Sequence, residues 1–405
     1  MINSVSNSGI QNGHMATVLS IAPMCSYPPM DGASTRIISV ASAISDAGYI
    51  VTVIGSNFIL TITPGQVPVV TRFTVHGWRS KRKAAILAIC TAGHYPEIKF
   101  HNPEWQRVVH DYINVNHPKV LITSYLWTMD IVQNLPFQPE LIIYDTHNSE
   151  WQMYNTCILE SHNPIHKWIW RNAIARYDAL AHALPSGTVL MHISDADLMD
   201  HKTRRPDLRH ILVPLCAGLA VSRTYQPDYT IMPKQLLFCG SLSGKMSVDA
   251  LTYFANNFWP TIQSVSQVTI AGSNPSKQVQ RMCQQYAWQL EANFDIHRKT
   301  ELYNEAHFAI LPFKHGSGSK LKLIEACSYG VPVLTTTGGN SGGLHLPSSA
   351  TVSDNAIDWY CAIQSIAPRT EWLAETEMFC EEYAPVRTIG QLLTMLSTHN
   401  MVHNL

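Results

Sequence analysis

The chain has no stretch of about 18 consecutive apolar residues, so nothing in it reads as a membrane span. It has almost no net charge. The 28 Lys and Arg against 29 Asp and Glu leave −1, which excludes a bulk electrostatic pull toward nucleic acid. Charged residues are sparse at 14% against 46% hydrophobic, the balance of a soluble globular protein. Tandem repeats and low-complexity segments are absent. The nine cysteines form no C-x-x-C pair, and their mostly apolar surroundings predict buried, reduced thiols in a reducing compartment. Residues 1–14 lack the apolar core of a signal peptide. Residues 1–15 therefore read as a disordered leader, and the expected location is cytoplasmic.

Metal-ligand patterns are also missing. Two histidine pairs share i, i+4 spacing, His162 with His166 and His399 with His403, but no Cys or carboxylate completes either. Asp195-Ala196-Asp197 is the one D-x-D spelling near a strand end, and its aspartates read as helix-entry caps. No metal site and no cofactor are expected.

What is present is alternation. Short β-branched runs at 16–23, 50–54, 120–123, 141–144, 189–193 and 210–213 alternate with helical patterns. They lack period-2 polarity, which suits strands covered on both faces of a parallel sheet. Residues 32–47 read as the first helix, with Ile37, Val40, Ala41 and Ile44 on its apolar face and Gly48 as its stop. A turn-rich stretch, 225–233, precedes a second alternation with strands at 235–239, 268–271, 308–311 and 331–335. The expected fold class is α/β, with two Rossmann-like domains facing a cleft. The expected division is 16–225 for the N-terminal domain and 226–385 for the C-terminal domain. Residues 386–405 are expected to form a helix crossing back to the first domain, and the linker is expected within 220–235.

The richest stretch is Pro312 to Thr336, PFKHGSGSKLKLIEACSYGVPVLTT. An apolar strand runs into a loop holding Gly316 and Gly318. Lys320 follows at a helix start, and Glu325 lies further along that helix. A glycine loop at a helix N-terminus presents backbone N–H groups and the positive end of the dipole. With a lysine beside it, such a loop holds a diphosphate without a metal.

Several segments line up with one family. LLFCGSLSGKMSVDALTYFANNFWPTI (236–262), VTIAGSNP (268–275) and residues 310–336 resemble the second domain of GT-B glycosyltransferases of the large retaining group called family 4. PMDGASTRIISVASAISDAGYIVTVIG (29–55) and LIIYDTHNSEWQMY (141–154) resemble that family's first glycine loop with its helix and its D-x-H-N-x-E stretch. The chain departs from the pattern at two points. The typical signature has two glutamates; Glu325 matches the second, and the first falls on Ser317. The arginine of the common G-R loop is Ser241 here, after Gly240, and Lys245 is the nearest cation.

The resemblance implies transfer of a sugar from a nucleoside-diphosphate sugar to an acceptor hydroxyl, with retention, in the making of a cell-surface glycan or glycoconjugate. It makes His147, Lys320 and Glu325 the candidate catalytic residues. Lys320, Lys245 and the N–H groups of Gly316, Ser317, Gly318 and Ser319 are candidates to hold the diphosphate, and Glu325 the ribose. Gly240, Ser241 and His315 join the donor side. Gly32, Arg36, Asp145, Asn148 and Glu150 are candidate substrate contacts from the first domain. Plainer readings stand beside these: Glu325 paired with Lys322 at i−3, Gly32 as simple helix entry, His147 as a satisfied structural histidine, and Asp145 and Glu150 as holders of His147.

The basic and aromatic segment Trp78, Arg79, Lys81, Arg82 and Lys83 suits either an anionic membrane surface bearing a lipid-linked acceptor or a plain solvated helix start. The expected partners are a nucleotide-sugar donor and a glycan, lipid-linked or protein acceptor, with a peripheral contact at the inner membrane face. The alternatives are a non-catalytic GT-B-fold binding subunit, or another GT-B enzyme such as a nucleotide-sugar epimerase. The missing first glutamate favours the non-catalytic subunit.

Overall fold

A computed structural model describes residues 17–29, 31–133, 135, 137–147, 149–215, 227–315, 321–366 and 372–401. The first sheet has eight strands: β1 (Thr17–Ile21), β2 (Ile50–Ile54), β3 (Phe58–Ile62), β4 (Val69–Arg72), β5 (Val120–Ser124), β6 (Leu141–Asp145), β7 (Val189–His192) and β8 (Arg209–Leu212). Their order is β4-β3-β2-β1-β5-β6-β7-β8. All neighbours run parallel except β2–β3 and β3–β4.

The order reverses beside β1, which lies between β2 and β5. That switch point opens a crevice beyond the strands' carboxyl ends. Apolar clusters cover both faces. Val18, Val51, Ile122 and Ile143 face one, while Leu19, Leu121, Tyr144 and Leu190 face the other. This two-sided burial is why these strands show no polar alternation.

The second sheet runs β11-β10-β9-β12-β13-β14, all parallel. Its strands are β9 (Lys234–Cys239), β10 (Ser266–Gly272), β11 (Gln289–Ala292), β12 (Phe308–Leu311), β13 (Val333–Thr335) and β14 (Thr351–Val352). Here too the switch point lies between strands, with β9 flanked by β10 and β12. One continuous core of Leu236, Phe238, Phe254, Ile270, Ile310, Leu323 and Val333 holds this half.

The chain's last described helix, Gly390–Met401, does not pack on the second sheet. Leu392, Met395 and Leu396 join the first sheet's core beside Val40 and Ile44. Gln391 Oε1 accepts a hydrogen bond from the Leu212 amide at 3.0 Å. The two halves also meet where the helices Gly32–Asp46 and Leu321–Ser328 begin. A Cβ built on Gly32 would lie 3.7 Å from the Leu321 side chain, in ordinary contact.

Several expectations change. The β3–β4 hairpin and the edge strands β11 and β14 were not read from the sequence. Among the described cysteines, Cys25, Cys239, Cys283 and Cys327 are buried, but Cys90 and Cys361 are exposed. Burial pushes the Cys25 thiol up to about 12. At the D-x-D triplet the cap is Ser194, whose hydroxyl accepts from the Asp197 amide, and the aspartates occupy the first turn. Asp197 is buried instead, accepting from the Ser149 amide at 2.8 Å. Residues 1–16 and 402–405 lie outside the described residues, as do residues 220–226 of the expected linker. No described helix is long and apolar enough to cross a membrane.

Candidate active site

β6 ends in Asp145, and its register places Asp145 beside Ser124 of β5 and Met191 of β7. The next residues turn sharply. His147 has φ +41°, and Tyr125, just past β5, has φ +77°. Positive φ costs energy for residues with a Cβ, and such residues cluster where a site is being shaped. The two rings stack, centroids 4.8 Å apart and 13° from parallel. Tyr125 then stacks on Trp127 at 4.6 Å, and Trp127 on Phe100 at 5.9 Å.

His147 is buried, and its Nε2 lies 3.4 Å from Asp145 Oδ2, but the geometry makes no hydrogen bond. Burial lowers its basicity further than Asp145 raises it, so the imidazole is neutral at pH 7. Among the described residues its Nε2 has no hydrogen-bond partner.

Arg36, on the helix Gly32–Asp46, is 2% exposed. Its Nη2 and Nε donate to Asp145 Oδ1 at 2.9 and 3.2 Å. Its Nη1 donates to the Val213 carbonyl at 2.7 Å and the Pro214 carbonyl at 3.3 Å. Burial works against the Asp145 charge, yet the guanidinium outweighs it and holds the carboxyl below its usual range. Arg36 and Asp145 are therefore committed to one another and do not present free groups to a substrate. They fix the floor under His147.

Glu150 is engaged in a similar way. It starts the helix Glu150–Glu160 but turns inward, where Tyr144 Oη donates to its carboxylate at 3.1 Å and Tyr177 Oη lies 2.9 Å from Tyr144 Oη. Burial pushes its carboxyl up to about 7. Asn148 lies outside the described residues.

In the second half, Gly240 follows β9 with φ +153°. A Cβ there would collide with the end of the Lys322 side chain, and a Cβ on Gly272 would collide with the Gly240 carbonyl. The two glycines let this turn lie flat against β10 with a lysine over it. The Lys322 ammonium sits 4.8 Å from the Phe238 ring centroid and 5.7 Å from that of Phe313, within cation–π range.

The sequence made Lys320 and Lys245 the candidates for the diphosphate and offered Lys322 only as a partner of Glu325. Lys245 is instead well exposed and paired with Asp249 at 3.3 Å along its own helix. Ser241 lies in the turn, its hydroxyl 3.3 Å from that of Ser243. The signal for Lys322 was its one-turn offset from Glu325, which was read as a pairing.

Glu325 does not pair with Lys322. Its carboxylate takes the Lys299 ammonium and the Tyr303 hydroxyl, the latter at 3.1 Å. Burial opposes the Lys299 charge, but Glu325 outweighs it and raises its pKa. Neither Lys299 nor Tyr303 was read from the sequence, since both belong to a separate helix, Ile296–Glu305. His315 is exposed at the edge of the described residues. Gly316, Ser317, Gly318, Ser319 and Lys320 lie outside them.

Comparison with known proteins now adds to the geometry. Residues 233–358 match the family described as Glycosyl transferases group 1. That segment carries Gly240, Lys299, Lys322 and Glu325. No curated protein sequence matches the chain. Among solved structures, sucrose-phosphate synthase from Thermosynechococcus elongatus is similar, with TM-score 0.65 and 14% identity over 94% of this chain and 99% of that one. WaaG, a glycosyltransferase involved in lipopolysaccharide biosynthesis, gives 0.61 and 13% over 93% and 99%. The catalytic domain of starch synthase IV from Arabidopsis thaliana, bound to ADP and acarbose, gives 0.57 and 12% over 95% and 98%.

The fold is GT-B. Fold and matched segment together make the chain similar to GT-B glycosyltransferases.

Proposed function

We propose that the chain moves a sugar from a nucleoside-diphosphate sugar to an acceptor hydroxyl with retention and without a metal, in cell-surface glycan or glycoconjugate synthesis. One observation supports this most: the matched segment carries Glu325 and lays Lys322 over the Gly240 turn beyond β9.

Breaking the anomeric C–O bond leaves negative charge on the diphosphate, so fixed positive groups aimed there lower the barrier most. In this reading Lys322 and Lys320 supply charge, and the amides of 316–319 supply N–H donors. Glu325, held by Lys299 and Tyr303, accepts from the ribose hydroxyls. Neutral His147 meets the sugar or the acceptor through its unpaired ring nitrogen. The leaving phosphate takes the acceptor's proton on the same face.

Incubating purified protein with a panel of nucleotide sugars, and following release of nucleoside diphosphate, tests the reading. A second reading, a non-catalytic binding subunit, is favoured by Ser317 in place of the first glutamate and by the engagement of Glu325. Protein that binds a nucleoside diphosphate but neither transfers nor hydrolyses any donor would establish that second reading.

A peripheral membrane contact belongs to the same proposal. Ser80 caps the helix Lys81–Thr91, and Arg82, Lys83, Ile86, Leu87 and Ile89 are exposed on it. Arg79 is drawn away, donating to the Ile98 carbonyl at 2.7 Å, and Trp78 packs on the core. A basic start followed by exposed aliphatics suits anionic lipid. Co-sedimentation with vesicles containing phosphatidylglycerol, compared with neutral vesicles, tests it.

A further inference from the structure

β12 and β13 run side by side, with Leu311 opposite Thr335. Past their ends the two chains are tied by side chains as well as by the ladder. Thr335 Oγ1 donates to the Leu311 carbonyl at 2.9 Å, and Thr336 Oγ1 donates to the Phe313 carbonyl at 2.6 Å. The Thr336 hydroxyl also accepts from the Gly339 amide at 3.0 Å, so it is used both as donor and as acceptor. Both threonines are fully buried. Phe313 itself folds back, its amide donating to the Leu311 carbonyl at 3.0 Å.

The turn after β13 lies in backbone contact with the exit of β12. A Cβ on Gly338 would collide with the Phe313 carbonyl, and one on Gly339 with the Thr335 hydroxyl and the Leu311 carbonyl. Only glycine permits that approach. On its outer side the turn is anchored by exposed Asp354, which accepts from the Thr337 amide at 3.1 Å and the Thr337 hydroxyl at 2.6 Å.

This clamp holds Phe313. The Phe313 ring is buried, with its centroid 6.3 Å from that of Phe238. These are the two rings that face the Lys322 ammonium. A lysine stem is flexible, and its head takes a fixed place only where its surroundings set one. Here one of the two ring faces that set it is fixed by Thr336.

We propose that Thr336 is a positioning residue for Lys322. Through the Phe313 carbonyl it holds the Phe313 ring, and with it the lysine ammonium, over the Gly240 turn. What Lys322 does there rests on the glycosyl-transfer reading. The link from Thr336 to Lys322 does not.

The test uses the full chain. Reductive carbon-13 methylation keeps the lysine charges and gives each lysine a resonance, and Lys322→Arg identifies the one of interest. Ring currents from Phe238 and Phe313 set it apart from exposed lysines. Thr336→Val, which keeps the shape and removes the hydroxyl, is expected to move it toward the exposed lysines. Thr336→Ser, which keeps the hydroxyl, is expected to leave it in place. Asp354→Ala loosens the exposed end of the same turn and moves it in the same direction by less, so the link is read even if the buried valine variant does not fold. On unmodified protein, isothermal titration with uridine and adenosine diphosphates reads the consequence. Thr336→Val weakens binding by about threefold to tenfold, as loss of one hydrogen bond does, and Thr336→Ser by less than about twofold. In a Lys322→Ala background Thr336→Val adds nothing, because its effect runs through the lysine.

A Lys322 resonance unmoved in Thr336→Val and in Asp354→Ala overturns the proposal. So does an equal shift in Thr336→Ser, or an equal loss of affinity with and without Lys322. A resonance that moves as expected, in a protein whose wild type binds neither nucleotide, would overturn the transfer reading while the positioning link stands.

Discussion

Arg36 and Asp145 stand 109 residues apart in sequence and meet side-on in the interior, guanidinium Nη2 to carboxylate Oδ1 at 2.9 Å, with both groups almost fully buried. The pair ties the first helix to the end of β6 and, through the Val213 and Pro214 carbonyls, to the chain leaving β8. His147 is then held against Tyr125 by a floor that cannot shift independently. The strained turn at His147 persists because its surroundings over-determine it.

Removing one partner strands the other charge in the interior. Arg36→Met and Asp145→Leu are each expected to cost about 3–5 kcal/mol of stability. The double variant is expected to lose less than the sum, because no unpaired charge remains. Urea denaturation of the four proteins measures this. Single losses under 1 kcal/mol would mean the pair does not hold the floor.

The parallel strands were legible because burial on both faces leaves a β-branched run with no polar alternation, as in Leu141–Tyr144. The β3–β4 hairpin escaped because β3 alternates and β4 is exposed along its whole length. The motif loops told where chemistry gathers but not which side chain serves it. Asp145, Glu150 and Arg36 all follow the pattern of site residues, yet Arg36 meets Asp145 across 109 residues and reaches the chain just past β8, and Glu150 turns inward to Tyr144, pairings that no local spacing reveals. Lys322 escaped for the converse reason. A lysine three residues before a glutamate on a helix looks like its partner, and only the fold shows that Lys299 occupies that carboxylate.

Lys322 is expected to carry more of the nucleotide's charge than Lys245. Lys322→Ala should weaken nucleoside-diphosphate binding by about tenfold to a hundredfold, the range for a hydrogen bond to a charged group. Lys245→Ala should change it by less than about threefold, since an exposed i, i+4 pair is worth little. Isothermal titration of both variants decides. Equal losses would return the phosphate contact to Lys245.

Glu325→Ala is expected to act twice. It removes the proposed ribose acceptor and leaves Lys299, partly buried, without its carboxylate. Stability should drop by about 1–3 kcal/mol alongside nucleotide affinity. Glu325→Gln keeps the Tyr303 contact and should recover part of the stability but little of the affinity. Thermal melts with and without nucleotide separate the two. An alanine variant as stable as the wild type would show that Lys299 has another partner.

Glu150 sets a pH dependence of known sign. Its folded-state carboxyl is raised to about 7 from an ordinary 4.5, so between these values the folded state holds more protons than the unfolded. Stability from this group is complete below about 4.5 and is lost as pH rises through about 7, by roughly 3 kcal/mol in all. Buried His94 and His192 act in the opposite sense, their basicity lowered to about 3 and about 2. The group is therefore read from a difference. Subtracting the Glu150→Gln stability curve from the wild-type curve should give a decline between pH 4.5 and 7. A flat difference would mean the carboxyl titrates normally in the fold.

Transfer is expected to need no divalent cation. Among the described residues no three His, Cys, Asp or Glu side chains group to hold a metal, but the reason for the expectation is positive. Lys322 lies over the Gly240 turn, and the helix that carries it begins at Leu321, opposite the first helix's start at Gly32. In the proposed reading, two helix N-termini and ammonium groups supply the positive field that a metal supplies elsewhere. Activity should therefore survive chelation and fall with salt, which screens lysine contacts. Activity lost in chelator and restored by manganese or magnesium would show that a cation carries the diphosphate and that Lys322 does not.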